Sequence, residues 1–494
     1  MSFNVLETTI ADVHAGYKSG QLTCRQLVQV YLDRIDTYDK QGPAINAILT
    51  INPEALKEAD HLDEAFKVSG FVGPLHGIPM IMKDQADVAG MPTTLGSVLF
   101  KNHYPDRDAF VVEKLKKAGA IILAKATLGE LGGGDTHGSL FGSTKNPYDL
   151  ERTAGGSSGG SGASVSANFC TVAVGQEGFA SIRRPSTWNC VAGMRPTAGL
   201  VSRSGVYAGW PSVNGSLGPM ARSVTDLAKL LDAMTGYDPD DPVTARGVGR
   251  IKDSFVQFLD KTGLKGARVG ILRESMGYDA EPGSEDFNKV SEVFDKAVAD
   301  LKAGGAEIVD PIVIPNLKAL LAKRAGSFTD EEESFKNFMG RSKDPLYSCR
   351  QDAMNSPEFA KVVKRSRERW RRAPSDEANY EYLKAREELV TNFLKVMADH
   401  KLDAMVHKAV EHQPTLIRDG INPPHVDQKG APHINTFLVY VPSIVVPAGF
   451  TRDQLPTGIT FLGRPYDDGN MIKLAYAYEQ ATRHRKPPAS VTPL

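Results

Sequence analysis

An α/β fold, with helices on the faces of a sheet, is the class that this sequence predicts. Two observations carry the prediction. Stretches with apolar residues at helical spacing alternate with short continuous apolar runs, and glycine loops punctuate the alternation. With 494 residues and 41% hydrophobic composition, the chain can also bury a large core. A prior of about 150 residues per domain would suggest three domains, but the alternation continues across the chain and argues for one.

The elements follow in order. Thr23 to Gln26 has the form of a capping box, and Leu27, Val28, Tyr31, Leu32 and Ile35 repeat at helical spacing after it, which predicts an amphipathic helix. A second helix is expected over residues 53–66. Residues 75–83 form a largely apolar run that stops at Lys83, as a buried strand ending at a site would. Asp84 comes next and, by strand alternation, points to the opposite face. Val111, Val112, Leu115 and Ala118 share one helical face, Gly119 ends that helix, and residues 120–124 read as strand. Strand, glycine loop, small-residue helix and strand recur over residues 132–175.

From Ser223 to Met234 the pattern is again an amphipathic helix, and residues 235–244, polar with Pro and Asp, read as a surface linker. Residues 267–272 and 307–310 read as strands bracketing a helix. Residues 316–402 are charge-rich and almost free of strand signals, so they read as a helical insertion. Its clearest helix is capped by Ser375 and striped by Tyr382, Leu389, Phe393, Val396 and Met397. Thr436 to Val446 reads as a buried strand. Met471, Leu474, Ala475 and Tyr478 mark a last helix before Pro-rich terminal residues that are expected to fray.

Composition narrows the partners. Lys and Arg number 58 against 59 Asp and Glu, so no global field draws the chain to nucleic acid or an anionic membrane. The basic run over residues 361–372 reads as a solvated helix face rather than a nucleic-acid patch. Cys24, Cys170, Cys190 and Cys349 lack metal spacing and are expected to be free thiols. The N-terminal residues show no signal-peptide core, and no run reaches the roughly 20 apolar residues of a membrane span. A soluble, cytoplasmic protein is the expectation, with no metal and a small or neutral partner.

The chemistry gathers between Gly155 and Pro185. The glycines from Gly155 to Gly160 could cradle a phosphate, but neither GxxxxGK[ST] nor GxGxxG is present. They do permit close approach of backbone to ligand. Ser157 and Ser158 sit there, and Ser181 follows after a run able to cross the core as a strand. A serine hydroxyl needs a base, and the eleven histidines form no evident His-Asp arrangement. Lys83 is the better candidate, provided that burial keeps it neutral.

These residues lie within motifs that resemble the amidase signature family. The matches are Gly77 to Ser97, Gly155 to Ser161, Ser181 to Pro185 and Gly193 to Thr197, supported by Gly218 to Ser223 and Gly463 to Asp468. The resemblance spans nearly the whole chain. It implies one large α/β domain with a central mixed sheet flanked by helices, and a Ser-cisSer-Lys triad that hydrolyses amide bonds without a cofactor. By motif, Ser181 matches the acyl-forming nucleophile, Ser157 the bridging serine with a cis peptide bond, and Lys83 the general base. The oxyanion donors are expected from backbone N–H groups over Gly178, Phe179, Ala180 and Ser181.

There the sequence departs from the family, which usually has Asp-Thr-Gly-Gly-Ser where this chain has Glu177-Gly-Phe-Ala-Ser181. Phe179 and Ala180 either reshape the acyl pocket or pack into the core. His407, Lys408 and Glu411 could line the pocket, though solvent-facing positions are expected for each. Cys190 is expected to be a packed apolar side chain, and Arg183 and Arg184 to hold the turn. The substrate expected is a small carboxamide, extending to aryl amides, carbamates or ureas. The alternatives are the glutamine-hydrolysing subunit of a tRNA-dependent amidotransferase, or a binding subunit that is catalytically silent. For the assembly, a homodimer is the default.

Overall fold

Short apolar runs pair into one sheet. The computed structural model describes residues 3–251, 254–423 and 425–494, so the first two residues of the segment read for a signal peptide lie outside it. Among the described residues eleven strands form one mixed sheet. In chain order they are β1 (Ile48–Ile51), β2 (Pro79–Lys83), β3 (Ile121–Ala126), β4 (Val172–Glu177), β5 (Ala192–Arg195) and β6 (Ser216–Ala221). Then come β7 (Arg268–Leu272), β8 (Glu307–Ile312), β9 (Ala404–Lys408), β10 (Ser443–Phe450) and β11 (Pro456–Leu462).

The strands lie in the order β1-β3-β2-β4-β6-β5-β10-β11-β9-β7-β8. Parallel pairing is confined to the blocks β3-β2-β4 and β9-β7-β8, and antiparallel strands join them. Strands β2, β3, β4, β6, β9 and β11 are buried at every position, which is why they appear in sequence as continuous rather than alternating apolar runs. The fold is a single α/β domain built on this sheet.

Helices cover its faces where the spacing predicts them. Thr23 caps helix Cys24–Arg34 in a reciprocal box with Gln26. Ser223 caps helix Val224–Met234, and helix Asp468–Thr482 buries Met471, Leu474, Ala475 and Tyr478. Helix Gly159–Ser166 consists of Gly, Ala, Ser and Val and is buried throughout, which lets it lie close against the strands. Residues 317–399 hold helices and no strand. The longest, Asp376–Asp399, is capped by Ser375 and buries its stripe in a second apolar cluster with Ile434 and Phe437. Among the described residues no helix is long and apolar enough to cross a membrane.

Three expectations change. Residues 436–442 are not strand: a short helix ends at Phe437 and β10 begins only at Ser443. Buried Arg195 takes the carbonyls of Asn435 (2.6 Å) and Val441 (2.8 Å), and Pro442 has no N–H to give a ladder. The stretch 235–244 is no simple surface linker, because Asp238, Asp241 and Thr244 are buried and Asp241 pairs with Arg203 at 3.0 Å. Nor does the C-terminus fray. Arg34 donates to Thr492 O (2.8 Å), Ser490 to Pro147 O (2.6 Å), and Val491 is buried.

Candidate active site

Parallel pairing carries the candidate residues to one edge of the sheet. In β2 and β4, Met82 lies opposite Val174, so Lys83 and the turn after Glu177 emerge together at the C-terminal ends, the edge where α/β sheets bind ligands. Helix Gly159–Ser166 runs back before β4, which places the loop at its N-terminus, Gly155 to Ser158, at that edge too. Gly156 suits this loop because a Cβ there would lie 2.2 Å from Gly134 O.

The three side chains meet in a line. Lys83 is fully buried, with Nζ 2.7 Å from Ser157 Oγ and 3.4 Å from Gln176 O. Ser157 Oγ is 2.9 Å from Ser181 Oγ and 3.0 Å from Gly132 O, and the Gly156–Ser157 peptide is cis. Burial pushes the Lys83 ammonium down to about 7, with the Glu177 carboxylate opposing the shift only in part. Lys83 is therefore available as a neutral acceptor close to neutrality. Ser158 does not join the line, since its Oγ bonds to the backbone of Gln176 at 3.2 Å.

Glu177 governs the turn before Ser181, a role the sequence reading missed. Its carboxylate accepts from the N–H groups of Ile182 and Arg183 at 2.9 Å each, from Arg183 Nε at 3.1 Å and from Asn435 Nδ2 at 2.6 Å. Burial pushes this carboxyl up, but Arg183, Arg195 and those hydrogen bonds outweigh it and hold it below the usual range. Glu177 thus caps the short helix Arg183–Trp188 and folds the turn back on itself. The signal was present only as an acidic residue four positions before the serine.

Within the turn, Gly178 is required by close approach: a Cβ there would meet Asn214 O at 2.4 Å. Phe179 O accepts from Arg183 Nη2 at 2.7 Å, and among the described residues the N–H groups of Phe179, Ala180 and Ser181 find no protein acceptor. The Phe179 ring is largely buried, edge-on to His433 at 4.9 Å, and it borders the cleft. Arg184 braces the neighbouring loop through Gly156 O (3.0 Å) and Asp135 (2.7 Å). Arg183 and Arg184 are therefore turn-holding residues. Asp84 turns away from Lys83 and pairs with buried Lys125 at 2.8 Å, and Cys190 is buried as a thiol whose pKa burial raises.

Ser181, Gly178 and Phe179 open onto a cleft of about 240 Å³, which is also lined by Gln85, Tyr207 and Gln428. Arg324, Arg350, Arg369 and Glu331 line it as well, none of them anticipated from the sequence as cleft residues. The basic run over 361–372 is accordingly not just a solvated face: Arg369 donates to Glu130 O (3.1 Å) and Leu131 O (2.9 Å), and Trp370 lines the cleft. His407, Lys408 and Glu411 are buried outside this cleft instead of facing solvent. Burial, with Arg183 nearby, pushes the His407 imidazole down to about 3; Lys408 bonds to Ser291 and Glu411 to Met276 N. A larger cleft of about 860 Å³ beside His14, Lys229 and Tyr237 includes none of these residues.

Comparison with known proteins places the chain in a family. The family model described as Amidase matches residues 26–472. The chain belongs to the amidase family. A probable amidase of Arabidopsis thaliana is 32% identical, the match covering 99% of this chain and 92% of the relative. A glutamyl-tRNA(Gln) amidotransferase subunit from Thermoanaerobacter pseudethanolicus is 33% identical, with 98% of each chain covered. Among solved structures, native peptide amidase from Stenotrophomonas maltophilia superposes with a TM-score of 0.87 at 32% identity, covering 99% of both chains. The fold is that of the amidase signature enzymes, and this amidase-family chain is an amidohydrolase.

Proposed function

We propose that this amidase-family enzyme cleaves the carbon-nitrogen bond of a small carboxamide through an acyl-enzyme on Ser181. The observation that carries the reading is the continuous contact Lys83-Ser157-Ser181 with a lysine buried enough to be neutral. Neutral Lys83 accepts the proton of Ser157 while Ser157 accepts that of Ser181, and Ser181 Oγ bonds to the carbonyl carbon. The N–H groups of the 179–181 turn face the developing oxyanion. Collapse breaks the C–N bond, and the relay returns a proton to the departing amine. Water then repeats the cycle on the ester, releasing the carboxylic acid and regenerating Ser181.

A panel of amides, esters and carbamates, followed by amine release and by mass spectrometry of the intact protein, tests this reading. Ser181→Ala is expected to lower kcat/KM by about 10³-fold or more, and Lys83→Ala by about 10²- to 10⁴-fold, with an acyl adduct on Ser181 in the parent. Equal activity in parent and variants would return the chain to a silent binding role. The similarity to an amidotransferase subunit favours a second reading, glutamine hydrolysis inside a tRNA-dependent complex. Stable co-purification with partner subunits, together with ammonia transfer to aminoacyl-tRNA, would select it.

A further inference from the structure

The cleft beside Ser181 carries more positive charge than its own residues balance. Three arginines face one carboxylate, Glu331, which Arg350 already engages at 2.7 Å. Arg369 turns Nη2 to two backbone carbonyls. Arg324 is different: among the described residues its guanidinium makes no ion pair or hydrogen bond, and its Nε is shut off from solvent. It lies 4.3 Å over the ring of Phe179, in the turn that carries Ser181.

Shielding the Arg324 Nε from water without a hydrogen-bond partner costs free energy that contact with an aromatic face offsets only in part. The side chain is partly exposed, which leaves its terminal nitrogens free to meet a ligand. The planar fork of N–H donors matches a carboxylate in bidentate fashion. The Phe179 ring is itself held edge-on by His433, on which Tyr278 stacks at 5.5 Å, so the platform beneath Arg324 is fixed. The cleft therefore places an unused anion-binding fork beside the candidate nucleophile.

We propose that the substrates of this site are amides bearing a carboxylate, and that Arg324 is the specificity-determining residue that binds it. This rests on the amide-hydrolase reading. It also gives Phe179 a function: where the family usually has glycine, the ring supports the arginine.

The test uses monoamides of dicarboxylic acids and N-acyl amino acids, each paired with its methyl ester, assayed for amine release by the parent, Arg324→Gln and Arg324→Lys. The parent is expected to favour at least one carboxylate form over its ester partner by about 10- to 100-fold in kcat/KM. Arg324→Gln should remove that preference by raising KM for the carboxylate form alone, and Arg324→Lys should restore part of it. A parent without preference, or an equal loss on both members of a pair, overturns the proposal. Ser181-dependent turnover of the methyl esters tests the hydrolase reading separately. Calorimetric titration with the dicarboxylates reads Arg324 without turnover: weaker binding in Arg324→Gln by about tenfold or more supports the role, and unchanged binding rejects it.

Discussion

Lys83 illustrates how much one residue depends on its surroundings. As a strand-ending lysine it could as well have reached solvent, and full burial is what brings its amine to about 7. The base must be unprotonated, so its active fraction grows as pH rises through 7. The logarithm of kcat/KM is expected to climb by about one per pH unit below 7 and to level off above it. A profile from pH 5 to 9 checks this, and a flat one would remove Lys83 as the base. Glu177 offers a second test at this scale. Glu177→Gln leaves Arg183 without its buried counter-charge and should destabilise the fold by about 3–5 kcal/mol, read by chemical denaturation, while also lowering kcat by loosening the turn. Loss of neither would show that Arg183 alone holds the turn. Lys83, Ser157 and Ser181 were legible through motif; Glu177 and Arg324 were not, because one is the first residue of a departure from the pattern and the other belongs to no motif.

At the scale of elements, local signals located most helices and strands. Capping at Thr23 and Ser375 marked helix starts because the cap is a contact between residues three apart. The helix Asp376–Asp399 shows what its stripe is for: Leu389 is fully buried against the second apolar cluster. Leu389→Ala should cost about 2–5 kcal/mol in the midpoint-derived stability, through lost burial and the cavity left behind. A change under about 0.5 kcal/mol would mean that this helix does not share the cooperative unfolding unit. The strand expected from Thr436 failed for a nonlocal reason. The apolar run is real, but Arg195, about 240 residues earlier, takes its carbonyls and bends it into a helical turn.

Over the whole molecule, one sheet brings distant segments into register and the chain ends close it. The segment from 488 to 494 returns to the helix Cys24–Arg34 through Arg34 and to the loop at Pro147 through Ser490. Deleting it should lower stability by about 2–4 kcal/mol, the sum of a few hydrogen bonds and buried Val491, and the thermal midpoint with it. An unchanged midpoint would show that the tail is held without contributing. The near-neutral overall charge, by contrast, gives no sign of the local excess of arginine in the cleft, where Arg324, Arg350 and Arg369 meet one carboxylate.

By itself the sequence determined what periodicity and motif can encode: the α/β class, the capped helices, and the choice of Lys83, Ser157 and Ser181 as candidate site residues. These depend on residues close in the chain or on an ordered pattern along it. Only the tertiary structure decided that Lys83 is dry, that Glu177 folds the turn, that Arg369 and Trp370 of the basic run reach the cleft and that Arg324 stands over Phe179. Burial and charge pairing are set by neighbours far apart in sequence, and nothing local specifies them.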